Sequence, residues 1–320
     1  MTETMLEVED LVVEFGPVQA VSGVNFTLRS GETLGLVGES GCGKSSTARA
    51  VMQLPRPTSG SVRLQGMELT RARGEALRAV RPKLQMIFQD PVSSLNPRRT
   101  VLEIVAAPLE VIGWGDLNSR RERVVQALEA VGLEPEISLD RRPHEFSGGQ
   151  CQRISIARAL VLDPEVLICD EPVSALDVSV QAQILNLLHD MKDRYNLTML
   201  FISHDLAVVK NICDRVAVMY LGKIVEEADS EALYRHPRHH YTRALLSAVP
   251  EPDPGVRPDP VNLMSGELPS PMNPPSGCRF RTRCPRAERK CANVEPPLAE
   301  IAPRHRVACH FPIAEPAAGA

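Results

Sequence analysis

The residues of this chain whose types and spacing suit chemistry begin with a glycine-rich run at positions 38–45. Its sequence, GESGCGKS, fits the phosphate-loop pattern G-x-x-x-x-G-K-[ST]. Glycines let the backbone curl so that its N–H groups point at phosphate oxygens, and a helix N-terminus adds a favourable dipole. Lys44 would reach the β- and γ-phosphates, and the Ser45 hydroxyl would ligate Mg²⁺. A glycine-rich turn that binds nothing is the alternative, but the apolar run 34–37 before it and the predicted helix 45–53 after it favour phosphate binding.

An acidic pair follows a second apolar run, at positions 166–169. Four apolar residues, VLIC, predict a buried strand whose carboxyl end delivers Asp170 towards a metal ion, because open α/β sheets bind ligands at that end. Glu171, the next residue, would polarise an attacking water. Acidic residues after a strand are also common at helix N-termini, so the pair has weight only together with the phosphate loop.

A third pattern, FSGGQ at positions 146–150, precedes a predicted helix that runs to about Leu162. A bare SGG is usually a flexible turn, but at a helix N-terminus it forms an anion site. With this motif the chain resembles the ABC ATPase family, whose signature is LSGGQ. The resemblance implies an α/β fold of the P-loop NTPase class, with a mixed β core and a helical subdomain.

The resemblance assigns roles to isolated residues that would carry no signal alone. Gln89 matches the glutamine of the Q-loop, and Asp177 belongs to a SALD sequence that matches the D-loop. His204, after an apolar strand, matches the switch histidine. Phe15 stands where the family has an adenine-stacking aromatic, although a core residue of an early strand would look the same.

The family mechanism then implies the site. The residues expected to bind ATP are Gly38, Glu39, Ser40, Gly41, Cys42, Gly43, Lys44, Ser45, Ser46, Gln89 and Phe15. The expected Mg²⁺ ligands are Ser45, Gln89 and Asp170. The expected catalytic residues are Glu171, acting on water, and His204, at the γ-phosphate. In the family two ATPase domains meet head to tail, so the signature residues would contact ATP bound to a partner: Ser147, Gly148, Gly149 and Gln150.

Longer segments resemble the oligopeptide, dipeptide and nickel importers of the family. They are FQDP and SLNP within 88–97, DEPVSALDVS at 170–179 and HHYTRAL at 239–245. The resemblance covers residues 6 to about 311 and departs in two places, where His240 replaces the usual proline and Cys151 the usual arginine. It implies peptide import at the cytoplasmic face of the membrane, with a second and different ATPase chain, two permease subunits and an extracytoplasmic binding protein.

Other functions are less well supported. Nickel or another small solute is an alternative cargo, because an ATPase subunit does not touch the solute. Soluble ABC proteins of DNA repair or translation commonly carry a coiled-coil insertion or two fused ATPase domains, whereas this sequence shows one phosphate loop and no sustained heptads. Exporter motors are often fused to spanning helices, and the apolar runs here are too short to span a bilayer. A net charge of −4 gives no case for a nucleic-acid partner, and the acidic N-terminus does not resemble a signal peptide.

The elements that must position these residues alternate between short apolar runs and segments of helical period. Runs at 33–37, 84–88, 166–170 and 199–203 predict strands of a mainly parallel sheet. A period of two around 24–28 predicts antiparallel strands. The predicted domains are an ATPase domain at 1–250 with a helical subdomain at about 98–162, a proline-rich linker at 251–277, a cysteine-containing region at 278–312 and a tail at 313–320.

Eight cysteines fall into two groups. Four are scattered and are expected to be small buried hydrophobic residues: Cys42, Cys151, Cys169 and Cys213. The other four are spaced x5, x6 and x17 among several arginines: Cys278, Cys284, Cys291 and Cys309. Zinc sites usually show close C-x₂₋₄-C pairs, which are missing here. Four thiolates suit a [4Fe–4S] cluster or zinc, and unligated thiols remain a third interpretation. The segment resembles the C-terminal region of peptide-importer ATPases, in which some members have an Fe–S cluster site.

Overall fold

The computed structural model describes residues 3–248 and 267–314. Most of the predicted linker and of the predicted tail therefore lies outside the described residues, and positions 267–277 form turns and irregular chain. The described chain forms two compact units that alternate along the sequence. The first contains residues 3–6, 28–32 and 64–202, and the second contains residues 7–27, 33–63, 203–248 and 267–314.

The described strands are β1 (Thr4–Phe15), β2 (Val18–Arg29), β3 (Thr33–Val37), β4 (Ser59–Leu64), β5 (Met67–Glu68), β6 (Leu84–Ile87), β7 (Val166–Asp170), β8 (Thr198–Ser203), β9 (Arg215–Tyr220), β10 (Lys223–Asp229), β11 (Ala299–Ala302) and β12 (His305–Val307). The described helices are α1 (Lys44–Val51), α2 (Gly74–Val80), α3 (Pro91–Ser94), α4 (Val101–Ile112), α5 (Leu117–Ala130), α6 (Pro135–Ser138), α7 (Gly148–Leu160), α8 (Val178–Tyr195), α9 (Leu206–Ile212), α10 (Ser230–Arg235), α11 (His240–Ser247) and α12 (Arg289–Asn293). None of these helices is long and apolar enough to cross a membrane.

Parallel strands form the sheet of the first unit. β7 pairs with β6 on one side and with β8 on the other, in the registers Leu84↔Val166 and Val166↔Thr198. Every residue of β7 and β8 is buried, which is why these strands are continuous apolar runs and not alternating ones. The predicted parallel strands are confirmed, and their carboxyl ends lie side by side.

Helices fill the chain between β6 and β7. α4 starts at a reciprocal cap between Thr100 and Glu103 and ends at Gly113, which has a φ of 72°. α5 starts at Asp116, whose carboxylate accepts the Ser119 N–H. α7 packs against α3, α4 and α5, with its apolar residues buried. The mixed α/β fold with a helical part is therefore as predicted.

The sheet of the second unit joins early and late parts of the chain. β3 runs parallel to β9, with Val37 opposite Val218, and β9 turns back into antiparallel β10. β12 pairs with β10, with Glu226 opposite Val307, and β11 pairs with β12. The C-terminal region thus contributes strands to this sheet, a pairing that sequence analysis did not predict.

A second sheet in this unit has the order β2–β1–β4. Val24 and Phe26 of β2 and Val62 of β4 are buried and alternate with more exposed neighbours. β1 and β2 are joined by only two residues, 16–17, which requires them to run antiparallel. The period of two therefore marks strands with one buried face, as predicted.

Candidate functional site

The glycine-rich run lies between β3 and α1 in the second unit. Gly38 and Gly43 have φ values of 153° and 108°. A Cβ at Gly38 would overlap the Met219 carbonyl oxygen, and a Cβ at Gly43 would overlap the Ala20 carbonyl oxygen. Glycine is therefore required at both positions, because of the backbone angle and because neighbouring strands approach closely.

Lys44 begins α1, and its side chain folds back across the loop. Its ammonium group donates to the carbonyl oxygens of Gly38 at 2.8 Å and Glu39 at 3.1 Å. Lys44 is 4% exposed, so its charge is held at the loop instead of extending into solvent. Ser45 and Ser46 follow on α1 and are half-buried. This arrangement places a fixed positive charge and a helix N-terminus together, the combination that binds phosphate.

Cys42 of this loop and Phe15 at the end of β1 lie in two different environments. Cys42 is buried, and burial raises the pKa of its thiol, which keeps the sulfur protonated and uncharged. Phe15 at the end of β1 is 49% exposed. It is therefore not a core residue, and the stacking role stays a prediction.

The acidic pair lies at the carboxyl end of β7 in the first unit. Asp170 is fully buried, and the Glu171 N–H donates to the Ile202 carbonyl oxygen of β8 at 3.0 Å. Glu171 has a φ of 46°, a left-handed conformation that is strained for a residue with a side chain and that clusters at functional sites. The side-chain amide of Gln89 donates to the Glu171 carboxylate at 2.9 Å, so the structure brings these two predicted site residues together.

The signature residues form the start of α7. The Ser147 hydroxyl accepts the Gln150 N–H at 3.3 Å, and the Gln150 side chain accepts the Ser147 N–H at 2.9 Å. In this reciprocal cap, each of the two side chains accepts a backbone N–H at the start of the same helix. A Cβ at Gly149 would lie 2.5 Å from Cγ1 of Val180 on α8, whereas a Cβ at Gly148 would meet Leu176 at an ordinary 3.6 Å.

Asp177 lies at the start of α8, and His204 lies two residues before the first residue of α9. The Asp177 carboxylate accepts the Val180 N–H at 3.0 Å and the Ser179 hydroxyl at 2.7 Å, and these bonds lower the pKa of Asp177. Asp177 is therefore the N-cap of α8, whatever else it does. His204 follows β8 directly and is exposed, just before Asp205, which caps α9.

The two departures from the family pattern have local roles. Cys151 is 1% exposed on α7, and its thiol donates to the Pro143 carbonyl oxygen at 3.4 Å. His240 is the first residue of α11, a position that proline favours. Its Nε2 lies 3.0 Å from the Phe311 carbonyl oxygen, so the replacement adds a contact to the C-terminal region.

The scattered cysteines are buried as predicted. Of the terminal group, Cys291 is buried and the other three are half-buried: Cys278, Cys284 and Cys309. Burial raises the pKa of the Cys309 thiol to about 12, and the other three thiols act on it electrostatically, which shows that the four lie in one neighbourhood. Within residues 3–248 and 267–314, however, no group of three or more Cys, His, Asp or Glu side chains is arranged to hold a metal ion, so the metal prediction is not supported by the geometry.

Sequence analysis assigned no role to two residues that contact the phosphate loop within the same unit. The Tyr241 hydroxyl accepts the Glu39 N–H at 2.9 Å, and the Arg283 guanidinium forms an ion pair with the Glu39 carboxylate. No local pattern signals either contact, because the partners are 202 and 244 residues apart along the chain.

Comparison with known proteins extends over nearly the whole chain. A family profile described as "ABC transporter" matches residues 21–174, and one described as "Oligopeptide/dipeptide transporter, C-terminal region" matches residues 225–291. The chain is 54% identical to the putative oligopeptide transport ATP-binding protein YkfD of Bacillus subtilis, over 96% of this chain and 95% of that protein. It is 52% identical to the oligopeptide transport ATP-binding protein OppF of Escherichia coli, over 96% of each.

Solved structures with the same fold include cbiO1 of Clostridium perfringens, part of the ABC transporter complex cbiONQ. It has a TM-score of 0.65 at 29% identity and covers 73% of this chain and 91% of its own. A dimeric ATP-binding cassette in a post-hydrolysis state with ADP and Pi has a TM-score of 0.64 at 28% identity, over 71% of this chain and 99% of its own.

Proposed function

This chain belongs to the ABC transporter family of ATP-binding proteins, and we propose that it powers the import of oligopeptides or dipeptides by hydrolysing ATP. One observation carries the choice of cargo. The similarity to oligopeptide transport proteins is near 50% identity and includes the C-terminal region at 225–291. ABC ATPases in general share the core, whereas the description of this C-terminal profile names oligopeptide and dipeptide transporters.

The first step of the proposed mechanism is nucleotide binding. Lys44 and the backbone N–H groups of residues 38–45 bind the β- and γ-phosphates, since the loop presents a fixed charge and curled backbone. Phe15 stacks on the adenine. Ser45, Gln89 and Asp170 would hold Mg²⁺, which would supply positive charge to the phosphates. Membership of the ABC transporter family supports the assignment of the phosphate-loop residues and of the expected Mg²⁺ ligands to one ATP.

The second step is attack by water. Glu171 orients the water and accepts its proton, and His204 holds the γ-phosphate side. The hydrogen bond from Gln89 supports this role of Glu171, because it orients the carboxylate from a neighbouring strand end. Phosphoryl transfer depends mostly on such positioning and on stabilisation of charge.

The proposed assembly is shared between chains. The start of α7 is exposed, and there the Ser147 hydroxyl and the backbone N–H groups of Gly148 and Gly149 are the proposed donors to a partner's γ-phosphate. We place a second, different ATPase chain opposite it, with two permease subunits and an extracytoplasmic binding protein. In this arrangement the chain is peripheral, at the cytoplasmic face of the membrane.

The proposed domain organisation is an ATPase domain at 1–250 with a helical subdomain at about 98–162, a linker at 251–277 and a cysteine-containing region at 278–312. A [4Fe–4S] cluster in that last region is a further proposal, with zinc as the alternative. It is supported by the common neighbourhood of the four thiols and by their chemistry, since four thiolates suit either metal.

The function is tested with the assembled transporter in proteoliposomes. We expect uptake of labelled peptide that requires ATP inside and peptide-loaded binding protein outside, and hydrolysis that binding protein stimulates. The isolated chain should hydrolyse ATP slowly, because each site needs the partner's signature residues. Uptake of nickel but not of peptide would show that nickel, and not peptide, is the cargo. Equal hydrolysis by the isolated chain, in proportion to its concentration, would contradict a shared site.

A further inference from the structure

An arginine of the cysteine-containing region holds the phosphate loop in a two-point contact. Arg283 donates from Nη1 to one Glu39 carboxylate oxygen at 2.6 Å and from Nη2 to the other at 3.1 Å. The side chain of Arg283 is 7% exposed and that of Glu39 is 25% exposed. Paired hydrogen bonds between a guanidinium and a carboxylate fix direction as well as distance, which a lysine does not do. The bonds to Glu39 raise the pKa of Arg283 further, so the guanidinium stays charged.

Glu39 is thereby held at three points. Its carboxylate binds Arg283, its N–H donates to the Tyr241 hydroxyl, and its carbonyl oxygen accepts from the Lys44 ammonium group. The last contact connects the arginine to the residue expected to bind phosphate. A shift of Glu39 would move the carbonyl oxygen that positions Lys44.

A second arginine of the same region reaches the other end of the loop through a turn. Arg279 donates to the Leu221 carbonyl oxygen. Gly222, the next residue in the turn, donates its N–H to the Cys42 carbonyl oxygen at 2.8 Å. Gly222 has a φ of 79°, which suits glycine. The loop is therefore supported at Glu39 and at Cys42 by the same segment.

The segment itself is anchored in the core between the two arginines. Phe280 is 1% exposed, and its ring centroid lies 5.3 Å from those of Tyr220 and Tyr241. The Arg283 guanidinium carbon lies 6.0 Å from the Tyr220 ring centroid. An aromatic anchor of this kind leaves the arginines little freedom to move.

We propose that Arg283 is a positioning residue for ATP binding, acting through Glu39, and that the cysteine-containing region is thus a working part of the nucleotide site. The inference rests on the proposed role of the phosphate loop. A loop held in its binding conformation loses less freedom when it binds, which favours affinity. Arg279 and Arg283 adjoin Cys278 and Cys284, so a change at these thiols lies one residue from the contacts that hold the loop.

The experiment measures ATP affinity on the full chain by displacement of a fluorescent trinitrophenyl-ATP. Arg283→Gln and Glu39→Gln should each raise the Kd roughly tenfold, in the range of typical coupling between sites. The double variant should be no weaker than either single variant, because both remove one interaction. Arg283→Lys should recover part of the affinity. In the assembled transporter, KM for ATP should rise while kcat at saturating ATP stays within about twofold.

The matched control is Arg281→Gln. Arg281 lies in the same segment, and among the described residues it binds the carbonyl oxygen and hydroxyl of Ser276 and no residue of the phosphate loop, so the Kd should not change. If Arg283→Gln lowers the melting temperature but leaves the Kd for ATP unchanged, the contact only stabilises the fold and the inference is overturned. Additive effects of Arg283→Gln and Glu39→Gln on the Kd would also overturn it. Lys44→Ala separates the two failures: if it too leaves the Kd unchanged, the loop assignment itself is wrong.

Discussion

The side-chain amide of Gln89 donates a hydrogen bond to the Glu171 carboxylate across 2.9 Å. The two residues follow β6 and β7, which pair in parallel with Ile87 opposite Cys169. Their contact therefore results from the register of the sheet, although they are 82 positions apart. It joins the glutamine expected to ligate Mg²⁺ to the carboxylate expected to act on water.

Replacing Glu171 by Gln should lower ATP hydrolysis in the assembled transporter by roughly 10²–10⁴-fold, the usual contribution of a general base. ATP binding should remain within a few-fold, because Lys44 and the loop backbone hold the phosphates. Steady-state phosphate release and ATP displacement measure the two effects. Glu165→Gln is the control, since Glu165 pairs with Lys83 at the opposite end of β7. Turnover of Glu171→Gln near that of the control would exclude the assigned role.

Lys44→Ala should weaken ATP binding by roughly ten- to a hundredfold, because a charged hydrogen bond to phosphate is lost. Equilibrium binding to the full chain measures it, and the thermal midpoint reports any effect on folding, since Lys44 is buried and bonded to Gly38 and Glu39. Lys83→Ala, which removes a surface ion pair, should leave the affinity as it is. Equal affinity in both variants would count against the phosphate loop.

Gly149→Ala should destabilise the chain by roughly 1–3 kcal/mol, the usual cost of overpacking. Its Cβ would lie 2.5 Å from Val180, whereas the Cβ of Gly148→Ala would lie 3.6 Å from Leu176. Urea unfolding should therefore show a smaller loss, or none, for Gly148→Ala. In a Val180→Ala background, Gly149→Ala should cost less stability than it does in the wild type, because the side chain that it overlaps has been shortened. Similar midpoints for the two single variants would show that α7 and α8 do not pack as described.

His239 should make stability depend on pH. Burial lowers its pKa to about 4, against about 6.5 in an unfolded chain. The folded chain binds a proton at His239 less readily than the unfolded chain does. The contribution of His239 to the free energy of unfolding is therefore complete above pH ~6.5 and is lost as pH falls towards 4. Its full size is on the order of 3 kcal/mol.

The measurement compares thermal midpoints of wild type and His239→Asn at pH ~7.5 and ~5. Asn keeps an acceptor for the Tyr241 N–H, which His239 Nδ1 now accepts at 3.0 Å, but it does not titrate. Wild type should lose more stability than the variant on acidification. Parallel losses would show that another group carries the pH dependence.

Cys284→Ser tests the proposed metal site. If the four terminal cysteines bind a [4Fe–4S] cluster, protein purified anaerobically should contain about four iron and four sulfide per chain and absorb near ~400 nm. The variant should lose most of both, and the region after Gly277 should become easier to cleave, because a closed metal site contributes folding energy. Cys213→Ser is the control, as Cys213 is a buried cysteine outside that region. Zinc without sulfide would replace the cluster, and absence of both metals would end the proposal.

Short-range patterns in the sequence were sufficient for much of this structure. Continuous apolar runs predicted β3, β7 and β8, since strands buried on both faces need apolar residues at every position. Glycine spacing predicted the loop before α1, and the segment after it predicted the helix 45–53, observed as Lys44–Val51. Each of these features depends on neighbours within a few residues, which is the range over which backbone preference and periodicity act.

The C-terminal strands were beyond that range. β11 reads AEIA and β12 reads HRV, and most of their residues are exposed or polar. Such short segments become strands because β10 offers an edge for pairing, with Glu226 opposite Val307. No period within three or four residues can signal a partner that lies about 80 positions away.

By itself, then, the sequence determined the family, the α/β architecture and the residue types of the nucleotide site, because these are encoded in local runs and motif spacing. Only the tertiary structure decided which side chains orient that site. Arg283 and Glu39 are 244 residues apart, and the segment that carries Arg283 is packed through Phe280 against Tyr220 and Tyr241. Long-range contacts of this kind follow from how the whole chain packs, since burial and charge pairing act in space and not along the sequence.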